Sequence, residues 1–257
     1  ILVLLCLILA PYHALFGLIA RRSEGMSVLT VFLLPFVWVS LEWGLTHAPF
    51  SGFPWTSLGY TQTPLNRLIQ IADITGVYGI SWLVVLCNTV AYGFISNRCR
   101  LAGPIVLSAC VAGTLIYGSL RLDEVQSAQR QAAPFKVSVI QANIEQSLKW
   151  EPGHLTETFK RYSTLTREAV KSEPSPDMVV WPESAMPFLY GIDDRYTSVV
   201  NEIVENSGKP LLFGTIGATV VDGKAKLLNK AYLLDKHAAF RGAYAKQHLV
   251  PFGEYVP

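Results

Sequence analysis

The sequence predicts a multi-helix transmembrane bundle followed by an α/β domain, on three observations. Of the 257 residues, 51% are hydrophobic and only 16% charged, against roughly 25% charged in an ordinary soluble domain. The charge is unevenly spread: residues 1–120 contain almost no Asp, Glu or Lys, while residues 121–257 have a soluble domain's composition. Long apolar runs fill the first part, and short β-branched and amphipathic segments alternate through the second. We therefore divide the chain into a helical membrane domain over 1–120, a polar linker or helix extension over 121–134, and an α/β domain over 135–257.

Four apolar runs, 1–20, 27–47, 79–96 and 101–119, are each long enough to cross a hydrocarbon core about 30 Å thick. Arg21 and Arg22 separate the first pair, and Arg98 and Arg100 separate the second. Positive charge in such short loops faces the cytoplasm. The connection 48–78, with one Arg and no Lys, then faces outward, and so does everything after Leu120.

The outward connection carries Ser51-Gly52-Phe53-Pro54-Trp55, followed by Leu65, Leu68, Ile69 and Ala72 at helical spacing. This pattern predicts a short helix lying in the interface. Phe53, Trp55 and Tyr60 are either interfacial anchors or the lining of a lipid entry path. An ionisable group in an apolar span points to function; Glu42, near the outer end of its span, is also placed to reach water.

In the second part, 136–143 (KVSVIQAN) reads as a strand, and 151–171 as a helix with Pro152 in its first turn. Residues 177–181 (DMVVW) form a short apolar strand of the kind buried on both faces. A second helix over 196–207 stops at Gly208. Strands follow over 210–216, 230–234 and 239–243. The order predicts a layered α/β domain with its active residues at strand ends.

A net charge of +2 with no basic stripe excludes a nucleic-acid partner. Cys6, Cys87, Cys99 and Cys110 all lie in or beside the apolar half. Their spacing fits neither a disulfide framework nor a metal site, so they read as small buried hydrophobes, and no metal or cofactor is expected. A start inside an apolar run and an end at Val256-Pro257 give the expectation of an internal segment of a longer protein.

Two strand ends carry chemistry. DMVVW runs into Pro182-Glu183-Ser184, placing a carboxylate where a buried strand emerges, and Lys246 follows another strand with Glu254 eight residues on. Taken alone, Glu183 also reads as a helix N-terminal charge and Lys246 as a solvated lysine.

These segments, VVWPES around Glu183 and AKQHLVPFGEYVP around Lys246, resemble the nitrilase, or carbon-nitrogen hydrolase, superfamily. Together with VIQANIEQSLKW, the FPW-containing connection and the preceding spans, nearly the whole chain resembles its membrane-fused branch, the bacterial apolipoprotein N-acyltransferases. The resemblance implies an αββα sandwich and a Glu, Lys and Cys triad. Glu183 is then the general base, and Lys246 steadies the tetrahedral oxyanion. Glu254 matches a Glu that supports the active site, with Phe252 and Gly253 beside it as supporting or substrate-binding positions. Trp150 matches an aromatic near the substrate cleft, although simple packing explains it equally well.

The nucleophile implied by the resemblance is missing, because no Cys follows Cys110. It is expected beyond Pro257, which leaves these 257 residues inactive alone. A free thiol has a pKa of about 8.5 and needs a base or cation nearby to react as thiolate, while an ammonium suits developing negative charge. The implied reaction takes an acyl chain from a phospholipid such as phosphatidylethanolamine onto Cys as a thioester. It then passes the chain to the α-amino group of a diacylglyceryl-Cys apolipoprotein. The implied location is the bacterial cytoplasmic (inner) membrane, with the catalytic domain on the periplasmic side. The alternatives are a membrane-tethered amidase or nitrilase and a non-catalytic membrane scaffold.

Overall fold

A computed structural model describes residues 2–23, 28–48, 52–145, 152–221, 223–250 and 253–254. The chain divides into two compact units, Ile1–Ala132 with Leu249–Pro257, and Ala133–His248.

The first unit is helical, with α1 (Leu2–Arg22), α2 (Leu29–His47), α3 (Asn66–Ile69), α4 (Ala72–Ile95) and α5 (Ala102–Gln131). By length and composition α1, α2, α4 and α5 suffice to cross a membrane, in the number and order the apolar runs predict. α4 begins earlier than expected, and of the two readings of 121–134, linker or helix extension, the second holds as far as Gln131. α4 begins at Ala72 because Gly76 (φ 63°, ψ −169°) kinks the helix without ending it; glycine alone takes that conformation at little cost. α5 continues to Gln131 because residues 121–131 contain neither Gly nor Pro to stop it. Val31, Leu83, Leu86, Val90 and Cys99 form the unit's core. Between α2 and α4 the expected interfacial helix is a single turn, α3, preceded by 3-10 turns at Pro54–Thr56 and Leu58–Gln62.

Among the described residues the second unit is one mixed sheet with two helices on it. Its strands are β1 (Val137–Val139), β2 (Met178–Val180), β3 (Met186–Leu189), β4 (Leu211–Val221), β5 (Lys224–Leu234) and β6 (Phe240–Ala245). The order is β1-β2-β4-β5-β6, with β3 also paired to β4. The β1–β2, β2–β4 and β3–β4 pairs are parallel, and β4–β5–β6 is antiparallel.

Helix α6 (Leu155–Lys171) buries Leu155, Phe159, Tyr162 and Thr166, the i, i+4, i+7 stripe of an amphipathic helix. Helix α7 (Asp194–Ser207) opens on Asp193, whose side chain accepts from the Tyr196 N–H, and ends at Gly208 in the left-handed conformation. Both helices pack into one core with Val179, Trp181, Leu211, Phe213 and Leu234. Trp181 is satisfied there by Thr166 Oγ1 at 3.0 Å. Tyr162 stacks at a tilt on Trp181, and burial pushes its hydroxyl up to about 12.

Strand side chains alternate between faces, so the register sorts the sheet. Leu211 and Phe213 face the helices with Tyr232 and Leu234, whereas Leu212, Gly214, Asn229, Ala231 and Tyr244 share the opposite face. Among the described residues that second face is open. Val139 is 72% exposed on it, and Met178 and Val180 are only half-buried, so β2 is not covered on both sides as its apolar run led us to expect.

The β5–β6 turn decides which β6 residues reach the open face. Leu233 pairs with Gly242 but Leu234 pairs with Phe240, leaving Arg241 as an extra, bulged residue. Its guanidinium binds Asp235 Oδ2, with Nε at 2.9 Å, while Asp235 Oδ1 accepts from the His237 and Ala239 N–H groups. These partners, the His237 N–H foremost, hold the Asp235 carboxyl below its ordinary value. A depressed carboxyl contributes stability above the unfolded pKa of about 3.9, and that contribution is lost as pH falls through the lower folded value. We predict that exchange-corrected hydrogen–deuterium uptake across 235–241 rises below about pH 4 in the wild-type protein. In Asp235→Asn the same peptide should exchange faster at neutral pH and lose that acid dependence; an unchanged profile would refute the assignment.

Candidate active site

Glu183 is carried by an interruption in a strand, not by the start of a helix. β2 lies along β4 up to Leu212, with the Trp181 N–H bonded to the Leu212 carbonyl. The chain then turns through Pro182-Glu183-Ser184 and resumes beside the same strand as β3, paired to Thr215 and Ile216. The turn is seated by two backbone bonds, Ala185 N–H to the Gly214 carbonyl and Gly214 N–H to the Pro182 carbonyl. Ser184 takes a positive φ of 48° to make it, a conformation uncommon for a non-glycine residue and frequent at functional sites.

The turn rests directly on Gly214. A Cβ there would lie 2.7 Å from Glu183 Cα and Ser184 N and 2.9 Å from the Pro182 carbonyl oxygen. Only glycine lets β4 come this close.

Lys246 arrives from the other side of the sheet. Its backbone N–H extends the β5–β6 ladder by bonding the Asn229 carbonyl at 2.8 Å. With the register set by the Arg241 bulge, Tyr244 and Lys246 fall on the open face with Asn229. Lys246 Nζ reaches Glu183 Oε1 at 3.1 Å. Asn229 Nδ2 donates to the same oxygen. Two residues, 46 and 63 positions from Glu183 in the chain, thus converge on its carboxylate.

The cleft around them holds about 350 Å³ and is lined by Trp181, Glu183, Leu212, Gly214, Tyr244 and Lys246 among others. It lies on the face that α6 and α7 leave uncovered. The Glu183 side chain is 62% exposed and the Lys246 side chain 32%, so both charged groups are open to an incoming substrate. A carboxylate held by an amide, beside an ammonium, can accept a proton at one atom and stabilise negative charge at another.

The structure therefore brings together Glu183 and Lys246 and adds Asn229, which the sequence reading missed. Glu254 and Gly253 lie in the segment that groups with the helical unit. There Glu254 closes a turn: its Oε2 accepts from the Val250 N–H at 2.8 Å and its own N–H bonds the Val250 carbonyl. Trp150 and Phe252 fall outside the described residues. All four cysteines belong to the first unit and are free thiols; Cys99 is buried and Cys110 partly so, whereas Cys6 and Cys87 are exposed.

Residues 1–90 match the model of the apolipoprotein N-acyltransferase N-terminal domain. Apolipoprotein N-acyltransferase of Geobacter metallireducens is 40% identical over 256 residues, which cover 97% of this chain and 48% of that protein. The apolipoprotein N-acyltransferase of Haemophilus ducreyi is 33% identical over 99% of this chain and 49% of its own. Among solved structures, a carbon-nitrogen hydrolase from Helicobacter pylori G27 overlaps 47% of this chain and 42% of its own at 18% identity, with a TM-score of 0.37. The chain spans about half the length of the curated relatives it matches. The similarity to these apolipoprotein N-acyltransferases runs along nearly the entire chain.

Proposed function

We propose that this chain forms the membrane-spanning and acid-base part of an N-acyltransferase that acts in lipoprotein maturation. The observation that carries the reading is the meeting of Glu183 Oε1 with Lys246 Nζ at 3.1 Å on an open sheet face, in a chain whose described residues include four helices apolar enough to cross a membrane. Both substrates in this reading are lipid-anchored: a phospholipid donor, phosphatidylethanolamine or a close analogue, and a diacylglyceryl-Cys apolipoprotein acceptor.

In the first step a Cys from outside these 257 residues attacks the ester carbonyl of the phospholipid. Glu183 takes the thiol proton, and the Lys246 ammonium faces the oxyanion. The intermediate collapses to a thioester, and Glu183 returns the proton to the departing lysophospholipid hydroxyl. In the second step the apolipoprotein α-amino group attacks the thioester and gives its proton to Glu183, the C–S bond breaks, and Glu183 passes that proton to the departing thiolate. Asn229 keeps the carboxylate oriented toward both proton transfers. No metal or cofactor takes part.

The exposed valines of β1 support the sandwich architecture, since a sheet face with Val137 and Val139 at 46% and 72% exposure calls for a second layer over it. Glu254, Gly253, Phe252 and Trp150 keep their proposed supporting or substrate-binding roles. The arginines at the ends of α1 and between α4 and α5 support placement in the bacterial inner membrane with the site on the periplasmic side. A membrane-anchored amidase or nitrilase would use the same Glu183 and Lys246. Four spans for one tethered domain favour a lipid substrate over a soluble one.

The test is acyl-enzyme formation by the full-length protein with phospholipid, read by intact mass and hydroxylamine sensitivity. Glu183→Gln should fold normally and lose roughly 10²–10⁴ in rate. A normal thioester yield in that variant removes Glu183 from the base role. Asn229→Ala leaves the carboxylate without its amide donor and should slow thioester formation roughly tenfold to a hundredfold. Asn229→Gln tests placement, because its amide sits one methylene further from the strand, so a rate equal to wild type would show the exact position of the amide to be incidental.

A further inference from the structure

Glu42 is 7% exposed toward the C-terminal end of an apolar helix, and no step of the acyl transfer uses it. It lies five residues before the end of α2, about 7 Å inside the helix terminus. Burying a carboxylate there is costly unless its oxygens are bonded, and they are. Oε2 accepts from Trp38 Nε1 at 2.9 Å and from the Leu58 N–H at 3.2 Å, and Oε1 accepts from Ser81 Oγ at 2.7 Å.

Two of these bonds leave α2, one to the connection that follows it and one to α4. Leu58 begins the 3-10 turn Leu58–Gln62 in the connection between α2 and α4. The next residue, Gly59, donates its N–H to Ser81 Oγ at 2.8 Å. Gly59 and Ser81 are both buried. A Cβ on Gly59 would sit 2.6 Å from the Val77 carbonyl oxygen and 2.8 Å from Val77 Cγ2, so this segment folds back against α4 as closely as a backbone can. Non-helical backbone is tolerated at membrane depth only where its polar groups find protein partners. Glu42 and Ser81 supply those partners to two consecutive N–H groups. On either side of the clamp, Trp55 is 60% exposed and Tyr60 49% exposed.

We propose that Glu42, acting with Ser81, is a positioning residue that locks segment 55–60 into the helical bundle and so holds the Trp55 and Tyr60 rings against the acyl chains of the lipid donor. The lipid identity of that donor rests on the function proposed above; the clamp itself does not. The role needs hydrogen-bond acceptors, not charge. Gln at position 42 can still accept from Trp38 and Leu58 through its carbonyl and donate to Ser81 Oγ, whereas Leu leaves the Leu58 N–H buried and unpaired.

The experiment uses the full-length protein labelled with 5-fluorotryptophan in phosphatidylethanolamine and phosphatidylglycerol vesicles. The Trp38 and Trp55 fluorine resonances are assigned through Trp38→Phe and Trp55→Phe. A nitroxide on the lipid chain should broaden the Trp55 signal in wild type and in Glu42→Gln. In Glu42→Leu and in the milder Ser81→Ala, that broadening should fall, and a water-soluble paramagnet should take over. The phospholipid fraction giving half-maximal thioester formation should rise about tenfold in both, with the loss falling on half-saturation more than on the rate at saturation. Glu42→Gln should stay within about twofold of wild type, one retained set of bonds being worth that difference. Ser40→Ala, whose hydroxyl bonds only its own helix at Phe36, serves as the control in α2. Unchanged Trp55 broadening in Glu42→Leu overturns the clamp, as does a Glu42→Gln protein as impaired as Glu42→Leu. If wild-type protein forms no thioester from phospholipid, the proposed function fails, while the fluorine measurement still decides the clamp.

Discussion

The second unit depends on how closely β4 approaches the turn that bears Glu183. β4 is shared by three partners, β2, β3 and β5, and the first two are one stretch of chain broken by the turn. Because Gly214 has no side chain, Pro182, Glu183 and Ser184 lie flat on the strand, and the Glu183 carboxylate lands within reach of β5 and the end of β6. A methyl group at 214 would push the turn away by its 2.7 Å contacts with Glu183 and Ser184. The backbone bonds at Ala185 and Gly214 would stretch with it. Thr215, next along β4, reinforces the arrangement by donating its buried hydroxyl to the Met186 and Phe188 carbonyls at 2.6 Å. The site is therefore built from backbone proximity first and side-chain chemistry second.

A different demand shapes the first unit. In an apolar surround the chain has no water to satisfy a backbone group that leaves the helix. The connection between α2 and α4 leaves it for some twenty residues, and side chains make up what the helical ladder no longer provides. Glu42 and Ser81 do so for Leu58 and Gly59. At the start of α4, Asp73 receives the Tyr117 hydroxyl at 2.8 Å and the Arg121 Nε at 3.0 Å, tying that end of the helix to α5. Two of the few acidic residues of this half, Glu42 and Asp73, thus bond groups beyond their own helix.

Much of the fold was legible because it follows from local composition. The four spans emerge from apolar runs, and α6 and α7 from a helical stripe and a Gly208 stop. What was missed has local causes too. β3 is four residues with Pro187 inside and followed an expected helix start, so nothing marked it as a strand. β4 and β5 are each eleven residues long, but Gly217 and Gly223 and the lysines at 224, 226 and 230 interrupt the apolar pattern that betrays a strand. The strands expected over 210–216 and 230–234 therefore cover only part of each.

The site was legible only through its motifs. On chemistry alone Glu183 and Lys246 each had an ordinary explanation, a helix-start charge and a solvated lysine, and the resemblance singled them out. Asn229 carried no such mark: an Asn is uncommon in a strand and its neighbours Leu228 and Lys230 say nothing of a carboxylate. Its part depends on register, and register is a long-range property. The pairing of Lys230 with Ala245 sets Asn229 beside Lys246, and that pairing depends on one extra residue, Arg241, held by Asp235. Since side chains alternate at every position, a ladder in which Arg241 paired with Leu233 instead of bulging would turn Tyr244 and Lys246 onto the helix-covered face. The contact between Lys246 and Glu183 is thus decided by a turn some five residues away from the lysine, and no inspection of the residues around either charged group would reveal it.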